Sequence, residues 1–176
     1  HLATYDETTG DLREKGTHQG YADSSTWTRG QAWGMYGFAV MYRETEDIRF
    51  LEVARQLSDA FITRLPTDFI PPYDFDAPGL TVSKDSSAGA IAAGALQMLA
   101  KLEPDPARAA VYKDTAASIL FALTGPRYLA RDTDIEVMLL EGSASAGNHQ
   151  MGLIYGDYYF LEALLRLLEQ DSTDLP

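Results

Sequence analysis

The chain has 176 residues, of which 45% are hydrophobic and 23% are charged, a composition typical of one globular domain. Its formal net charge of −12 argues against nucleic acid and anionic membranes as partners, because a negative surface repels phosphate groups. The absence of cysteine excludes disulfides and thiolate metal sites. No apolar run reaches the roughly 18 residues that a membrane-spanning helix requires.

We therefore expect residues 1–176 to form a single domain. The first residue is His1 and not methionine, so we expect the natural start of the protein to lie upstream. A short β-hairpin is predicted near the beginning, over residues 2–17. Its turn is the polar stretch 6–11, in which Gly10 can adopt a positive φ.

From Arg29 onwards the sequence predicts a helix. Five residues recur at helical spacing and so share one face of it: Trp33, Tyr36, Gly37, Val40 and Met41. The side-chain oxygens of Ser24, Ser25 and Thr26 lie just before this helix and are candidates to accept hydrogen bonds from its first N–H groups.

A second helix is predicted over residues 47–65, ending at Pro66, which has no N–H to continue the helical hydrogen bonds. The following segment, 66–85, is rich in proline, aspartate and aromatic residues, and a loop of this length is often functional. Asp85 is the predicted N-cap of a third helix, 86–102, whose many alanine and glycine residues indicate that it is buried on nearly all sides.

Asp105 and Pro106 predict the start of a fourth helix, since proline is favoured at the first helical position, and Gly125 predicts its end. A fifth helix is predicted over residues 155–170. Helices one, three and five are aromatic, glycine-rich or uncharged, whereas helices two and four are amphipathic. This alternation predicts an all-α fold of inner and outer helices. Five helices cannot close a ring of this kind, which indicates that part of it is missing.

The candidate binding residues cluster between the hairpin and the first helix. Arg29 and Trp33 are four residues apart and so share a helix face, where an arginine and an indole ring suit a sugar carboxylate. His18 and Gln19 are candidates to add hydrogen bonds from the preceding loop. The alternative interpretation is a core tryptophan with an arginine that pairs with nearby helix ends, and spacing alone favours this alternative.

Other segments have both a functional and a structural interpretation. Asp74 and Asp76 suit an acid–base pair, but turn formation beside proline explains them better. Lys84 next to Asp85 suits an anion site at a helix start, and plain capping explains it equally well. The polar loop 142–149 is either the mouth of a site or, more simply, a connector. Three histidines without a shared ligand spacing predict no metal site: His1, His18 and His149.

Several runs of this sequence resemble the unsaturated glucuronyl hydrolases of glycoside hydrolase family 88. They are HQGYADSSTWTRGQAWGMYGF at 18–38, PYDFDAP at 72–78, KDSSAGAI at 84–91 and LIYGDYYFLEALLR at 153–166. The related rhamnogalacturonyl hydrolases typically carry RGNGW where this chain has RGQAW at 29–33, so the glucuronyl branch is favoured.

The resemblance implies a fold and an extent. The family fold is an (α/α)6 barrel of paired inner and outer helices, and this chain resembles its carboxy-terminal part. The family's catalytic aspartate and a second essential aspartate lie in the absent amino-terminal part, so no residue of this chain matches them. The resemblance therefore implies that the chain alone is inactive, and that the missing part of the barrel or self-association covers its open flanks.

By the same resemblance, the retained substrate-contacting positions are His1, Gln19, Arg29 and Trp33. The implied reaction hydrates the vinyl ether of a 4,5-unsaturated uronic acid and releases that sugar from glycosaminoglycan or similar oligosaccharides, with no metal or organic cofactor. Family habit and the absence of cysteine favour a cytoplasmic location. The alternatives are a uronic-acid-binding module without catalysis, an unsaturated rhamnogalacturonyl hydrolase and a purely structural fragment.

Overall fold

The computed structural model describes residues 2–79 and 82–173, the last five by their backbone only. His1 lies outside the described residues. The elements are β1 (Leu2–Tyr5), β2 (Leu12–Gly16), α1 (Thr28–Thr45), α2 (Ile48–Arg64), α3 (Ser86–Leu102), α4 (Pro106–Leu123) and α5 (Ile154–Thr173). The predicted order of a hairpin followed by five helices is confirmed, with helix ends within a few residues of those expected. No helix in the described part of the chain is long and apolar enough to cross a membrane.

The hairpin pairs β1 and β2 antiparallel, with an irregularity between Thr4 and Tyr5. The side chain of Asp6 closes the turn by accepting the N–H groups of Thr8 and Thr9 at 2.8 and 2.9 Å. Gly10 has a φ of 75°, the conformation for which glycine was expected at this position. The strands are exposed along most of their length.

Aspartates cap three of the helices, as their position before each helix predicts. Asp47 accepts the Arg49 N–H, Asp85 accepts two N–H groups at the start of α3, and Asp105 accepts the Ala107 N–H. A carboxylate at this position pairs with donors that have no partner inside the helix and also interacts favourably with the helix dipole.

The start of α1 differs from the prediction. Its N-cap is Trp27, which makes no side-chain capping bond. The Thr28 N–H is instead donated to the Tyr73 carbonyl at 3.1 Å. Ser25 does not cap the helix, because its hydroxyl bonds the Ala22 carbonyl and the Asp74 carboxylate at 2.7 and 2.6 Å. The loop between α2 and α3 therefore supplies an acceptor that was expected from the hydroxyls.

Helix α3 lies at the centre of the fold and packs against α1, α4 and α5, while α2 packs against α1. Every residue from Ser86 to Leu99 is buried, which explains why this segment is made of small residues and lacks charge. Helices α2 and α4 bury one face each, through Leu51, Phe61 and neighbours in α2 and through Tyr112, Ile119 and neighbours in α4. The predicted alternation of inner and outer helices is confirmed.

The apolar residues of α1 lie in two environments: some are fully buried in the core, and others pack half-buried against α5. The fully buried apolar side of α1 consists of Ala32, Met35 and Ala39, which alternate with the aromatic positions. Trp33 and Tyr36 are half-buried, and both rings lie edge-on against Tyr159 of α5. An inner helix has neighbours on two sides, so a single apolar stripe does not describe its packing.

Candidate functional site

The first turns of α1 and α5 and the start of α3 meet at one end of the fold. Arg29 of α1 pairs with Asp85 at the start of α3 at 2.7 Å, and its guanidinium lies 5.1 Å from the Tyr155 ring of α5. About two helical turns further on, Tyr36 of α1 bonds Glu162 of α5. The three inner helices therefore run in the same direction, and their amino-terminal ends carry the predicted site.

Arg29 is almost completely buried, with 2% of its surface exposed. Its Nη1 donates to the Asp85 carboxylate and to the Ser143 carbonyl, and its Nη2 donates to the Ala144 carbonyl at 2.9 Å. The indole ring next to its guanidinium is that of Trp27, at 4.9 Å. We expected the Trp33 indole beside Arg29, because the two residues share a helix face. The structure places the Trp27 indole there instead.

Asp85 is fully buried and is the carboxylate partner of Arg29 within the chain. Its Oδ1 accepts the N–H groups of Ser87, Ala88 and Ser143. Burial raises the pKa of the Asp85 carboxyl, and the Arg29 charge and the hydrogen bonds from Ser87, Ser143 and Ala88 oppose that rise. A buried ion pair of this kind is stable because both ions keep hydrogen-bond partners.

Gln19 lies beside the same carbonyl group as Arg29. Its Nε2 donates to the Ala144 oxygen at 2.8 Å, and its backbone carbonyl accepts the Ala146 N–H at 3.0 Å. Gln19 also lines a cavity of about 290 Å³ together with Leu2, Thr17, His18 and Trp27. Among the described residues, none donates to its side-chain oxygen, which leaves an acceptor for a ligand hydroxyl.

Trp33 forms an aromatic group with α5. Its ring centroid lies 6.2 Å from that of Tyr155 and 5.0 Å from that of Tyr159, in edge-on arrangements. Tyr155 touches both the Trp33 ring and the Arg29 guanidinium. The structure thus links Arg29 and Trp33 through Tyr155.

The loop 142–149 folds against these residues. The Ser143 hydroxyl lies 2.5 Å from His149 Nδ1, and the Gly147 N–H is donated to His149 Nε2 at 3.1 Å. Since Nε2 accepts, the ring proton resides on Nδ1 and points to Ser143. The His149 ring packs on Tyr73 at 4.7 Å. The loop is therefore held in place at the site end, and its role there stays a prediction.

The two loop aspartates join the loop 66–85 to the segment that precedes α1. Asp74 is buried and accepts the Tyr21 N–H, the Ser25 hydroxyl and the Asp76 N–H at 2.9, 2.6 and 2.9 Å. Asp76 pairs with Arg64 at 2.6 Å, and this guanidinium lowers the pKa of the Asp76 carboxyl. The bond from the Asp76 N–H to Asp74 is the turn contact that the sequence favoured, whereas the bonds from Tyr21, Ser25 and Thr26 join segments about 50 residues apart.

Lys84 is also engaged within the chain. Its ammonium group bonds Asp68 and the Ile70 carbonyl at 2.7 and 2.8 Å. Asp85 accepts the first N–H groups of α3, so the predicted cap is present, and the Lys84 charge is paired with Asp68. In residues 2–79 and 82–173, no three His, Asp or Glu side chains converge as a metal site, and the expectation that the chemistry needs no cofactor stays a prediction.

Comparisons with known proteins identify what the chain resembles. It is 40% identical over 177 residues to the unsaturated glucuronyl hydrolase of Bacillus sp. strain GL1, a match that covers 95% of this chain and 46% of that protein. It is 36% identical to the unsaturated chondroitin disaccharide hydrolase of Streptococcus pyogenes serotype M1, over 94% of this chain and 43% of that protein. A crystal structure of an unsaturated glucuronyl hydrolase specific for heparin superposes with a TM-score of 0.91 at 34% identity, covering 98% of this chain and 47% of the other. No family model matches the sequence.

The layered helices and these structural neighbours define the chain as part of an α/α barrel, as the alternation of helices predicted. The resemblance read from the motifs is confirmed: over nearly its whole length the chain is similar to unsaturated glucuronyl hydrolases. It spans about half the length of the relatives that it matches.

Proposed function

We propose that this chain is part of a hydrolase that releases 4,5-unsaturated uronic acid from the non-reducing end of glycosaminoglycan oligosaccharides. The reaction is hydration of the vinyl ether, followed by collapse of the resulting hemiketal. The observation that carries this proposal is the gathering of Gln19, Arg29 and Trp33 at one end of the inner helices, around the loop 142–149. The names of the similar proteins, an unsaturated glucuronyl hydrolase and an unsaturated chondroitin disaccharide hydrolase, support the substrate class.

In this proposal the three residues have different roles. Gln19 accepts a sugar hydroxyl through its side-chain oxygen, and Trp33 forms an apolar wall for the sugar ring. Arg29, whose charge is paired with that of Asp85, holds the loop carbonyls beside the sugar. His1 is the fourth expected contact and stays a prediction.

We further propose that the acid and base of the reaction come from the part of the barrel that this chain does not contain. Asp74 and Asp85 are the buried aspartates at the site end, and both are saturated with internal hydrogen bonds. The chain alone is then inactive. The same observation supports the second candidate, a module that binds uronic acids without cleaving them.

Completion of the barrel by another polypeptide or by the rest of a longer chain belongs to the same proposal. The exposed side of α5 carries apolar residues at helical spacing, with Tyr158 59% exposed, Leu161 45% and Leu165 59%. A stripe of this kind is typical of a surface that another element covers. A cytoplasmic location is part of the proposal only through the resemblance and stays a prediction.

The proposal is tested with a fusion protein, in which the part of the Bacillus relative that has no counterpart here precedes this chain. The substrate is an unsaturated chondroitin disaccharide, and the signal is the ultraviolet absorbance of its double bond. We expect the absorbance to fall with the fusion protein and to stay constant with either part alone. Binding by the folded fusion protein without any fall in absorbance would favour the binding module.

A further inference from the structure

Asp85 does more than cap a helix. Its Oδ1 accepts the Ser87 N–H at 3.1 Å and the Ala88 N–H at 3.3 Å, which is the capping function. The same oxygen accepts the Ser143 N–H at 3.3 Å, and Oδ2 accepts Arg29 Nη1 at 2.7 Å. One buried carboxylate thus joins α1, the start of α3 and the loop 142–149.

The other two aspartate caps provide an internal comparison. The side chain of Asp47 accepts from the backbone and side chain of Arg49, two residues away. Asp105 is exposed and accepts only the Ala107 N–H through its side chain. Capping therefore needs neither burial nor a distant partner, and the contacts of Asp85 with Arg29 and Ser143 require another explanation.

Those contacts determine the position of the loop carbonyls. Arg29, held at Nη1 by Asp85, donates to the carbonyl groups of Ser143 and Ala144. Gln19 Nε2 donates to the same Ala144 oxygen at 2.8 Å. Asp85 is the charged partner of Arg29 in the described part of the chain, and a buried charge that loses its partner is strongly unfavourable.

We propose that Asp85 is a positioning residue for substrate recognition: through Arg29 it holds the loop 142–149 and the Gln19 side chain in the arrangement that receives the uronic acid. The recognition part of this inference rests on the proposed function. The positioning part does not, because it concerns contacts within the chain. Asp85 itself touches neither the sugar nor the reacting atoms.

Two matched substitutions test the inference, Asp85→Asn and Asp105→Asn. Asparagine is a good N-cap, so both variants keep their helix starts, and only Asp85→Asn removes the partner of Arg29. In the 176-residue chain, we expect amide hydrogen exchange at Ser143 and Ala146 to become roughly tenfold faster in Asp85→Asn. We expect exchange in α4 to stay unchanged in this variant, and exchange at Ser143 and Ala146 to stay unchanged in Asp105→Asn.

The kinetic arm uses the fusion protein. We expect Asp85→Asn to raise KM roughly tenfold, the effect of losing one charge-assisted hydrogen bond at the site, with little change in kcat. A merely structural role would reduce the amount of active enzyme, which lowers the apparent kcat at constant KM. Asp105→Asn is expected to match the wild type in both constants.

If Asp85→Asn does not fold, the double variant Asp85→Asn/Arg29→Gln replaces it in the exchange experiment, because the double variant leaves no unpaired buried charge. It should loosen the same loop amides. Unchanged exchange at Ser143 and Ala146 in a folded variant overturns the inference, and so does a loosened loop with an unchanged KM. If the wild-type fusion protein is inactive, the proposed function fails, and the exchange data alone decide whether Asp85 positions the loop.

Discussion

The Glu103 carboxylate at the end of α3 receives the Nε and Nη2 groups of Arg55 from α2 at 2.7 and 2.6 Å. The Glu103 side chain is fully buried and that of Arg55 is 22% exposed. This two-pronged ion pair joins an inner helix to an outer one at the end of α3 opposite Asp85. Paired geometry of this kind is the strongest form of an arginine–carboxylate contact.

Replacement of Glu103 by glutamine is expected to lower the free energy of unfolding by about 1–3 kcal/mol at pH 7, because Arg55 loses its charged acceptor. Urea unfolding measures this. The control is Glu44→Gln, since Glu44 is exposed and pairs only with the adjacent exposed Arg43. That change should cost less than about 0.5 kcal/mol.

The Glu103 contribution is also expected to depend on pH. Burial acts to raise the pKa of Glu103, but the hydrogen bonds from Arg55 and from the Asp105 N–H outweigh it and hold the pKa below its usual value. The stabilisation is therefore fully present above the unfolded-state pKa of about 4.3 and decreases as the pH falls through the lower folded-state pKa. Wild type and Glu103→Gln should converge in stability under these acidic conditions. A difference that stays constant on acidification would refute this explanation.

Replacement by alanine is expected to have opposite effects on stability at two glycines of α1. A Cβ at Gly30 would lie 2.5 Å from the Trp27 ring, whereas a Cβ at Gly37 would have no atom within 4 Å. Gly30→Ala should push Trp27 away from Arg29 and cost about 1–3 kcal/mol. Gly37→Ala should stabilise the helix by about 0.5–1 kcal/mol. Thermal unfolding of the two variants checks the contrast, and a similar shift in both would contradict the packing of Trp27.

The Tyr36 hydroxyl lies between two charged groups of α5, at 3.0 Å from Glu162 and 3.2 Å from Arg166. Burial, followed by the hydrogen bond to Glu162, raises the pKa of Tyr36 to about 12. Wild type and Tyr36→Phe should thus have equal phenolate absorbance at pH about 10.5, where an ordinary tyrosine with a pKa near 10 is largely ionised. A loss of absorbance corresponding to one tyrosine in the variant would show that Tyr36 is not shielded.

The exposed apolar side of α5 predicts that the chain associates with itself or with the missing part of the barrel. The variant Leu161→Glu/Leu165→Glu places charges on the apolar stripe, so it should weaken both self-association of the chain and its binding to the missing part of the barrel. The control is Phe121→Glu, at a residue of α4 that is 82% exposed and lies on an outer helix. Sedimentation at several concentrations measures the effect. Equal behaviour of the two variants would place the interface elsewhere.

Local features were predictable from the sequence, and contacts between distant segments were not. The aspartate caps of α3 and α4, the burial of α3 and the hairpin turn depend on neighbouring residues and on helical periodicity. The pairing of Arg29 with Asp85 joins residues 56 positions apart, so no spacing rule reveals it. The same holds for Trp27, whose position next to Arg29 depends on its backbone pairing with the loop at Asp74.

The most direct measurement is the decay of double-bond absorbance when the fusion protein and its Trp33→Ala variant act on the unsaturated chondroitin disaccharide below KM. If this chain supplies the substrate-contacting wall of a hydrolase, the wild-type trace falls, and the variant is slower by about tenfold, the effect of losing one aromatic contact. Phe121→Ala should match the wild type. A flat trace from a cooperatively folded fusion protein, or equal rates with and without Trp33, would contradict the claim that this chain supplies the substrate-contacting wall.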